Sequence, residues 1–379
     1  YKGKKIKYDL ENNTIVEDTP YETWNGTETK STGLVGEGTD ENPYLIKNAD
    51  DLLYFNKVLC EYGKITGLNS DNTENSANVL AQVASVKLTS NISLKNNKWS
   101  PLGKISGTNI SSFYGKFDGN GYEITEINEE EESGSVGFFA NLESNSEIKN
   151  LRITNSAFVQ KGSSRVGGIA ATSYNAKIED CYFSGTIATL GTETGGIVGY
   201  MSSGSIRNCI SDTQIKSTNS YVGGIIGNGY NVNVENVTND GAIIGGQHIG
   251  GIAGNLSGTM KNCNNKGSIS GNNQHVGGLI GSVEEPGEEI EDCNNLGEIS
   301  ITGTAYDCGG LVGVIQGGDN NKITNSYNKA NINGNIKYGG GIIGYSYKKV
   351  TVKNCENTGE FNGTVETKGD ICANFDAIN

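Results

Sequence analysis

The chain has 379 residues, of which 55 are glycine and only four are proline. The usual share of glycine is about 7 %, so glycine is in clear excess. Because proline is so rare, the composition is that of neither collagen nor a flexible linker. Glycine and asparagine both favour turns, so the composition argues against a helix bundle and predicts many short strands joined by tight turns. The net charge of −14 argues against a nucleic-acid partner, because a protein that binds nucleic acid needs a basic stripe. The chain has no apolar run of 18 residues or more, so no membrane span is predicted.

The first hundred residues predict one helix. Asn48 can cap a helix from about Ala49 to Tyr62, and Gly63 is the expected stop. Four apolar side chains share one face of this helix: Leu52, Phe55, Leu59 and Tyr62. A repeat array needs an end that hides its first unit, so we expect the helix to lie over that end as a cap.

The chain downstream of the helix leads into a repeat region. The stretch from Val86 to Pro101 predicts a strand that opens this region, and residues 117–121 (Phe-Asp-Gly-Asn-Gly) predict a tight turn. We divide the chain into an N-terminal segment with the helical cap, residues 1–100, and the repeat region, residues 101–379, and we expect the two to form one continuous structural unit.

A Gly-Gly-apolar-apolar-Gly motif recurs through the second half of the chain. Complete copies occupy residues 195–199, 223–227, 250–254, 277–281, 309–313 and 340–344, and weaker copies occupy 136–140 and 167–171. Successive copies are 27 to 32 residues apart. The two longest steps contain insertions at residues 284–289 and 316–321, which we expect to be loops that leave the repeat.

Two further motifs complete each repeat. An apolar–polar–Asn/Asp–small motif occupies residues 148–151, 178–181, 206–209, 234–237, 260–263, 290–293, 323–326 and 352–355. A third motif that begins with glycine closes the unit at residues 185–187, 267–269, 297–299 and 359–361. Three short apolar stretches per unit predict one turn of a three-sided coil whose apolar positions are buried only when units stack.

The repeat therefore predicts an all-β fold, a parallel β-helix or three-sided solenoid. The crossover rule makes a right-handed coil the expected form. The recurring Asn or Asp is expected to adopt a left-handed turn and to stack in ladders. A β-propeller needs longer units with four strands, and a leucine-rich repeat needs a leucine pattern that is absent here.

The cysteines predict a buried ladder of thiols. Five of the eight occupy one column of the repeat: Cys181, Cys209, Cys263, Cys293 and Cys355. Stacked neighbours in this column would hold their Cβ atoms near the strand spacing of about 4.8 Å, whereas a disulfide needs about 3.8 Å. We expect free thiols, with disulfides or a bound metal as the alternatives.

A second column consists of the residues two places before each Gly-Gly pair: Arg165, Glu193, Tyr221, His248, His275, Asp307 and Tyr338. Its polar character predicts that it faces solvent. We select Tyr221, His248, His275 and Tyr338 as a candidate ligand-binding stripe for a sugar or a protein partner; the alternative is that they simply cover the rod. A zinc site at the two histidines lacks a third ligand except Asp307, so no metal is predicted.

The chemistry of the chain does not favour an enzyme. There are only two histidines, and the motifs of zinc hydrolases, serine hydrolases and phosphate-binding loops are absent. The acidic runs at residues 129–132 and 284–289 could bind Ca²⁺, but solvated charged loops are the simpler interpretation. The repeat is too uniform for the carboxylate-lined groove of a glycoside hydrolase or lyase, which remains the least favoured alternative, and we predict no cofactor.

The repeated Gly-Gly-Leu/Ile-Val/Ile-Gly resembles the GLUG motif of bacterial surface and secreted proteins. Residues 36–46 with 49–52, and 98–103 followed by 117–121, resemble segments that often precede those repeats, so the resemblance extends over roughly residues 24–373. Such domains occur in adhesin-like proteins and beside immunoglobulin A-cleaving proteases, and the family has no catalytic residue set to transfer.

The resemblance implies an extracellular module at a bacterial cell surface or in a secreted protein. We expect a monomeric, adhesin-like and non-catalytic binding module that recognises a host glycan or an extracellular protein. The alternative is a passive spacer in a larger surface protein. Because the chain begins at Tyr1 rather than Met, we expect it to be a piece of a longer precursor.

Overall fold

The computed structural model confirms the predicted all-β solenoid. It describes the backbone of the strands Ile6–Asp9, Thr14–Glu17 and Glu22–Thr23, and residues 29–61, 81–106 and 109–378. These residues form about ten turns of a β-solenoid with one helix near the N-terminus. Two short antiparallel pairs accompany the coils, Ile6–Asp9 with Thr14–Glu17 and Lys104–Ser106 with Asn109–Ile110.

The first face of the solenoid is one continuous parallel ladder. Its strands are Tyr44–Ile46, Ser85–Leu88, Lys116–Asp118, Phe139–Leu142, Glu147–Lys149, Ala170–Glu179, Val198–Arg207, Ile226–Glu235, Ala253–Lys261, Ile280–Val283, Glu289–Glu291, Val312–Ile315, Asn321–Thr324, Ile343–Ser346 and Val350–Lys353. The ladder already begins at Tyr44–Ile46, which pairs with Ser85–Leu88. Parallel stacking therefore starts upstream of residue 101, where the sequence placed its start.

The second face carries the apolar positions of the closing motif. Its strands are Glu22–Thr23, Ile92–Ser93, Glu123–Thr125, Asn128–Glu131, Arg152–Gln160, Tyr182–Thr189, Ile210–Ser217, Thr238–Asn239, Ile243–Gly245, Asn264–Asn265, Ile269–Gly271, Asn294–Asn295, Tyr327–Asn328, Glu356–Asn357 and Phe361–Asn362. The ladder stacks Phe158, Ile187, Ile215, Ile243, Ile269, Ile299, Ile332 and Phe361 on successive coils. This stack is part of the buried core, and only Phe361 on the last coil is partly exposed.

The third face is short and ends at each Gly-Gly pair. Its strands are Val166–Gly167, Thr194–Gly195, Ser220–Gly223, Gln247–Gly250, His275–Gly277 and Val365–Gly369, together with the ends of Ile299–Gly309 and Ile332–Gly340, which run on from the second face. A 3₁₀ turn at Phe375–Ala377 follows the last strand.

The helix spans Ala49–Glu61, close to the predicted bounds; Tyr62 and Gly63 lie outside the described residues. The side-chain oxygen of Asn48 accepts a hydrogen bond from the Asp51 backbone N–H at 2.9 Å, as a helix N-cap does. Leu52, Phe55 and Leu59 are buried as predicted. The Phe55 ring meets Phe113 edge-on at 6.1 Å, so the helix packs its apolar face on the core near the N-terminal end of the coils.

The Gly-Gly-apolar-apolar-Gly motif makes the corner between the third and first faces. In the copy at residues 250–254, a Cβ on Gly250 would meet the carbonyl oxygen of Ala253, and a Cβ on Gly254 would meet the backbone of Tyr221 and Val222 on the preceding coil. Both separations fall under 3.0 Å, where real Cβ atoms are essentially never found. The glycines therefore allow the two faces to pack backbone against backbone.

The predicted left-handed turns and asparagine ladders are confirmed. The third residue of the second motif has a positive φ of 51° to 56° in Asn150, Asp180, Asn208, Asn236, Asn262, Asp292, Asn325 and Asn354. Their side chains bond from coil to coil, as from Asn208 to Asp180 at 3.0 Å. A second, buried ladder that the sequence did not predict links Asn239, Asn265, Asn295, Asn328 and Asn357.

All eight cysteines are unpaired in the structure, which confirms the predicted free thiols. Cys181, Cys209, Cys263 and Cys293 are fully or almost fully buried in their column, whereas Cys355, on the last complete coil, is half-buried. Burial raises the pKa of the Cys181 thiol well above its usual range, so the reactive thiolate is scarce.

We expect six thiols to resist an aromatic disulfide reagent in the folded chain, because six cysteines are buried and thiolate is the reacting form. Cys60 and Cys355 should react slowly, and all eight should react rapidly in denaturant without reductant. The measurement is a time-resolved thiol titration with and without denaturant. Fewer than eight thiols in the unfolded chain would contradict the free-thiol ladder.

Candidate functional site

Two columns of side chains meet across the glycine corner. The third-face column contains Arg165, Glu193, Tyr221, His248, His275, Asp307 and Tyr338, and it stacks in register as the sequence predicted. The first-face column contains Thr172, Tyr200, Asn228, Asn255, Ser282, Val314 and Tyr345. We call these two columns together the corner seam.

The predicted ligand stripe is divided in the structure. The Tyr221 and His248 rings lie 4.8 Å apart, and so do the His248 and His275 rings. Tyr338 does not continue this stack, because Asp307 lies between it and His275 in the ladder. Three of the four selected residues therefore form one cluster and the fourth belongs elsewhere.

The expectation that this column faces solvent is wrong at its centre. His275 is only 7 % exposed and Asp307 is fully buried. The cause is the corner itself, since the close approach of the two faces lays the first-face column against the third-face column. Where two faces pack against each other, the alternation of polar and apolar residues along a strand does not show which side chains are exposed to solvent.

The centre of the seam is a polar cluster with defined partners. The His248 Nδ1 lies 2.9 Å from the Ser282 hydroxyl, and the Tyr221 hydroxyl donates to Glu284 at 3.0 Å. Burial, and then His275, lower the pKa of His248 to about 4. Burial, and then Glu284, raise the pKa of Tyr221 to about 12. Both side chains are therefore neutral at physiological pH.

His275 and Asp307 form the most buried pair of the cluster. The His275 Nδ1 lies 2.7 Å from an Asp307 carboxylate oxygen, although neither this nitrogen nor the two carboxylate oxygens have a partner with hydrogen-bond geometry. We interpret the contact as a close charge-dipole or ion pair. Such a pair stabilises only if both partners stay in place, because removal of one leaves a buried polar group alone.

The cluster does not form a hydrolase triad. A serine hydrolase places one histidine between the hydroxyl and the acid, but here Ser282 contacts His248 whereas Asp307 contacts His275. Ser282 is also fully buried, so a substrate cannot reach its hydroxyl. In the part of the chain that the structure describes, no three His, Cys, Asp or Glu side chains are placed to share a metal ion.

A patch of four tyrosines lies at the C-terminal end of the seam: Tyr338 and Tyr345 from its two columns, and their neighbours Tyr306 and Tyr347. Ring centroids are 5.6 Å apart for Tyr306 and Tyr338, and 4.8 Å apart for both Tyr338–Tyr345 and Tyr345–Tyr347. Tyr306 is 42 % exposed and Tyr347 is 57 % exposed. We call these four residues the C-terminal tyrosine patch.

Lys337 holds one edge of this patch. Its ammonium group lies 4.1 Å from the centre of the Tyr306 ring and donates to the Tyr306 hydroxyl at 2.9 Å. The sequence predicted only Tyr338, because Tyr345 and Tyr347 belong to another face of the coil. Their alternation as Tyr-Ser-Tyr directly after a Gly-Gly motif was the available signal.

A smaller aromatic patch lies nearer the N-terminal end of the seam. The Tyr174 and Tyr200 rings pack at 6.0 Å, and the Arg165 guanidinium lies 4.2 Å from the centre of the Tyr200 ring. Arg165 also pairs with Glu193, which accepts a hydrogen bond from Asn228 at 2.9 Å. We call Tyr174 and Tyr200 the N-terminal tyrosine patch.

The two acidic runs are not wholly the solvated loops that the sequence predicted. Glu129 and Glu288 are at most 1 % exposed, and none of their carboxylate oxygens has a hydrogen-bond partner. Burial raises the pKa of Glu129 well above its usual range and that of Glu288 to about 8. The other residues of the first run behave differently, since Glu130 and Glu132 pair with Lys161 at the surface.

The comparisons with known proteins give one family match and one similar crystal structure. The GLUG motif model matches residues 162–188, which include the first part of the corner seam, and no curated protein sequence matches significantly. A crystal structure of a candidate immunoglobulin A1 protease from Bacteroides ovatus is similar over 87 % of this chain and 86 % of that chain, with 20 % identity and a TM-score of 0.46. Among the residues that the structure describes, no helix has the length and apolarity needed to cross a membrane. The match at residues 162–188 and the motif that recurs at the corner of successive coils fit a GLUG-motif repeat protein that folds as a parallel β-helix.

Proposed function

We propose that this chain is an extracellular, adhesin-like and non-catalytic binding module of a bacterial surface or secreted protein. Its ligand, a host glycan or an extracellular protein, binds on the C-terminal tyrosine patch. The observation that carries the proposal is the contact of four neighbouring tyrosine rings at the surface, of which Tyr306 and Tyr347 are exposed and Tyr338 and Tyr345 are half-buried. Tyrosine combines a flat apolar face with a hydroxyl, and such side chains dominate the energetics of binding surfaces.

The polar groups of the seam support binding rather than catalysis. Glu193 and Glu284 hold neighbouring side chains, and Asp307 is buried against His275. The two carboxyls with raised pKa values, Glu129 and Glu288, are sealed from solvent. A carboxyl that is to transfer a proton must come within hydrogen-bond reach of the substrate, and these side chains lack such access.

The test is binding of the purified chain to a broad glycan array and to a panel of extracellular matrix proteins. The variant Tyr345→Ala/Tyr347→Ala removes two rings of the patch. We expect it to lose at least about tenfold in affinity, since the loss of one or two well-packed aromatic contacts costs about 1.4 kcal/mol or more. Tyr114→Ala is the matched control, because Tyr114 is 42 % exposed and lies outside the seam.

Three outcomes separate the hypotheses. A ligand that binds the wild type and the control but not the double variant supports the proposal. A ligand that binds all three equally places the site elsewhere on the rod. A blank array and panel favours the passive spacer, which the uniform stacking of the coils also suits. Alanine at Tyr221, His248 and His275 is less suitable, because these residues are largely packed in the seam.

A further inference from the structure

The two tyrosine patches lie on one line along the rod. Tyr200 and Tyr345 are members of the same first-face column, five ladder steps apart. At about 4.8 Å per step, the patches are about 24 Å apart. Tyr230, which is 51 % exposed and two coils beyond Tyr174 in register, provides a further ring between them.

Resting on the proposed function, we infer that the N-terminal tyrosine patch is a second binding site, and that the ligand is a neutral linear polysaccharide that lies along the corner seam and contacts both patches. The rings supply faces to which the C–H groups of a pyranose are attracted. Between the patches, the seam presents the half-buried amide of Asn228, which accepts a hydrogen bond from the buried Asn255 at 3.0 Å.

The charges of the chain select against an acidic polymer. The net charge is −14, and a field of that sign repels polyanions. Of the two cations that contact the patches, Arg165 forms an ion pair with Glu193, and Lys337 donates a hydrogen bond to the Tyr306 hydroxyl. A neutral chain avoids this repulsion and binds through the rings.

The strands disfavour a peptide as the ligand. A peptide that adds a strand needs a free sheet edge, but the strands inside the ladder pair on both sides, as Ser220–Gly223 does with Thr194–Gly195 and Gln247–Gly250. The last first-face strand, Ile343–Ser346, pairs with Val312–Ile315 on one side and has a bridge from Ile343 to Cys372 on the other. A peptide that lay along the axis would present like-facing side chains every 6.6 Å or so, out of step with coils that repeat every 4.8 Å or so.

The test is a length series of neutral oligosaccharides, with β-1,4-glucan and β-1,4-mannan fragments as the probes and calorimetry as the measurement. Fragments of about eight units span the distance of about 24 Å between the patches, whereas fragments of about three units reach one patch. We expect the long fragments to bind at least about tenfold tighter, because the second contact becomes intramolecular. Their affinity should be independent of NaCl concentration.

The variant Tyr174→Ala/Tyr200→Ala should abolish this length dependence and leave the binding of short fragments at the C-terminal tyrosine patch intact. Tyr174→Ala/Tyr230→Ala is the second variant, because both side chains are exposed and their loss should leave the fold unchanged. It should reduce long-fragment affinity by about threefold or more, while Tyr114→Ala should have no effect.

Equal affinity for long and short fragments, or a long-fragment affinity that neither N-terminal variant changes, would overturn the inference and leave the proposed function standing. Preferential binding of heparin with a steep salt dependence would overturn the neutral ligand. Short-fragment binding that survives the combined substitution Tyr174→Ala/Tyr200→Ala/Tyr345→Ala/Tyr347→Ala, or no binding of any probe or array glycan, would instead count against the proposed function.

Discussion

Gly251→Ala should destabilise the solenoid by about 3 kcal/mol or more, at the upper end of the range for overpacked sites. A Cβ at this position would lie too close to the Gly278 carbonyl oxygen on the next coil and to the Asn265 side chain. Asn265 accepts from Asn239 at 2.8 Å and donates to Asn295 at 2.9 Å. The methyl group must therefore either separate two coils or break the buried asparagine ladder. Either change removes hydrogen bonds between coils.

The measurement is the midpoint of unfolding by heat and by guanidinium chloride, followed by circular dichroism. Gly33→Ala is the matched control, because nothing lies within 4 Å of a Cβ there and no left-handed φ is required. The control should change stability by no more than about 0.5 kcal/mol. If the two variants unfolded alike, the close packing of the glycine corner would not contribute to stability.

The solenoid could be predicted from the sequence because each coil repeats the same three apolar stretches. Once the spacing of the Gly-Gly pairs was known, the register of a column such as Cys181 and Cys209 followed from simple alignment. The left-handed Asn208 turn followed from residue preference. The helix was predicted independently of the repeat, from Asn48 as its N-cap and from the apolar side chains that share one face of residues 49–61.

The candidate site could be predicted only in part, because it forms where two faces meet. Alignment placed His248, His275 and Tyr338 in one column, but it could not show that the glycine corner lays Ser282 and Tyr345 of another face against them. The burial of Asp307 and the grouping of Tyr345 with Tyr338 are properties of that meeting. Repeat periodicity contains no information about which outward columns face each other.

The inward direction of Glu288 was equally hidden in the sequence. Its five neighbours in the insertion at residues 284–289 are acidic or turn-forming, so the sequence predicts a solvated loop for the whole run. In the structure the strand Glu289–Glu291 resumes the first-face ladder, so the residue before it points into the coil. Its backbone N–H is held by the Asn321 side chain at 2.9 Å.

Glu288→Gln should stabilise the chain at neutral pH and have little effect in acid. Burial raises the pKa of Glu288 to about 8 from 4.5, and the nearby Gly258 backbone N–H offsets this only in part. Between these two values the folded chain keeps a proton that the unfolded chain has lost, so stability falls as the pH rises from about 4.5 to 8. At pH 7 the loss is about 3 kcal/mol, and an uncharged glutamine avoids it.

The measurement is the thermal midpoint of both chains from pH 4.5 to pH 8.5. The difference in favour of Glu288→Gln should grow with pH through this window and then become constant. Glu289→Gln is the matched control, because Glu289 is an exposed neighbour that pairs with Lys322 at 2.7 Å, and it should cost no more than about 1 kcal/mol at any pH. A gain from Glu288→Gln that was the same at both ends of the range would show that the carboxyl is not titrated by folding, and that its effect comes from packing alone.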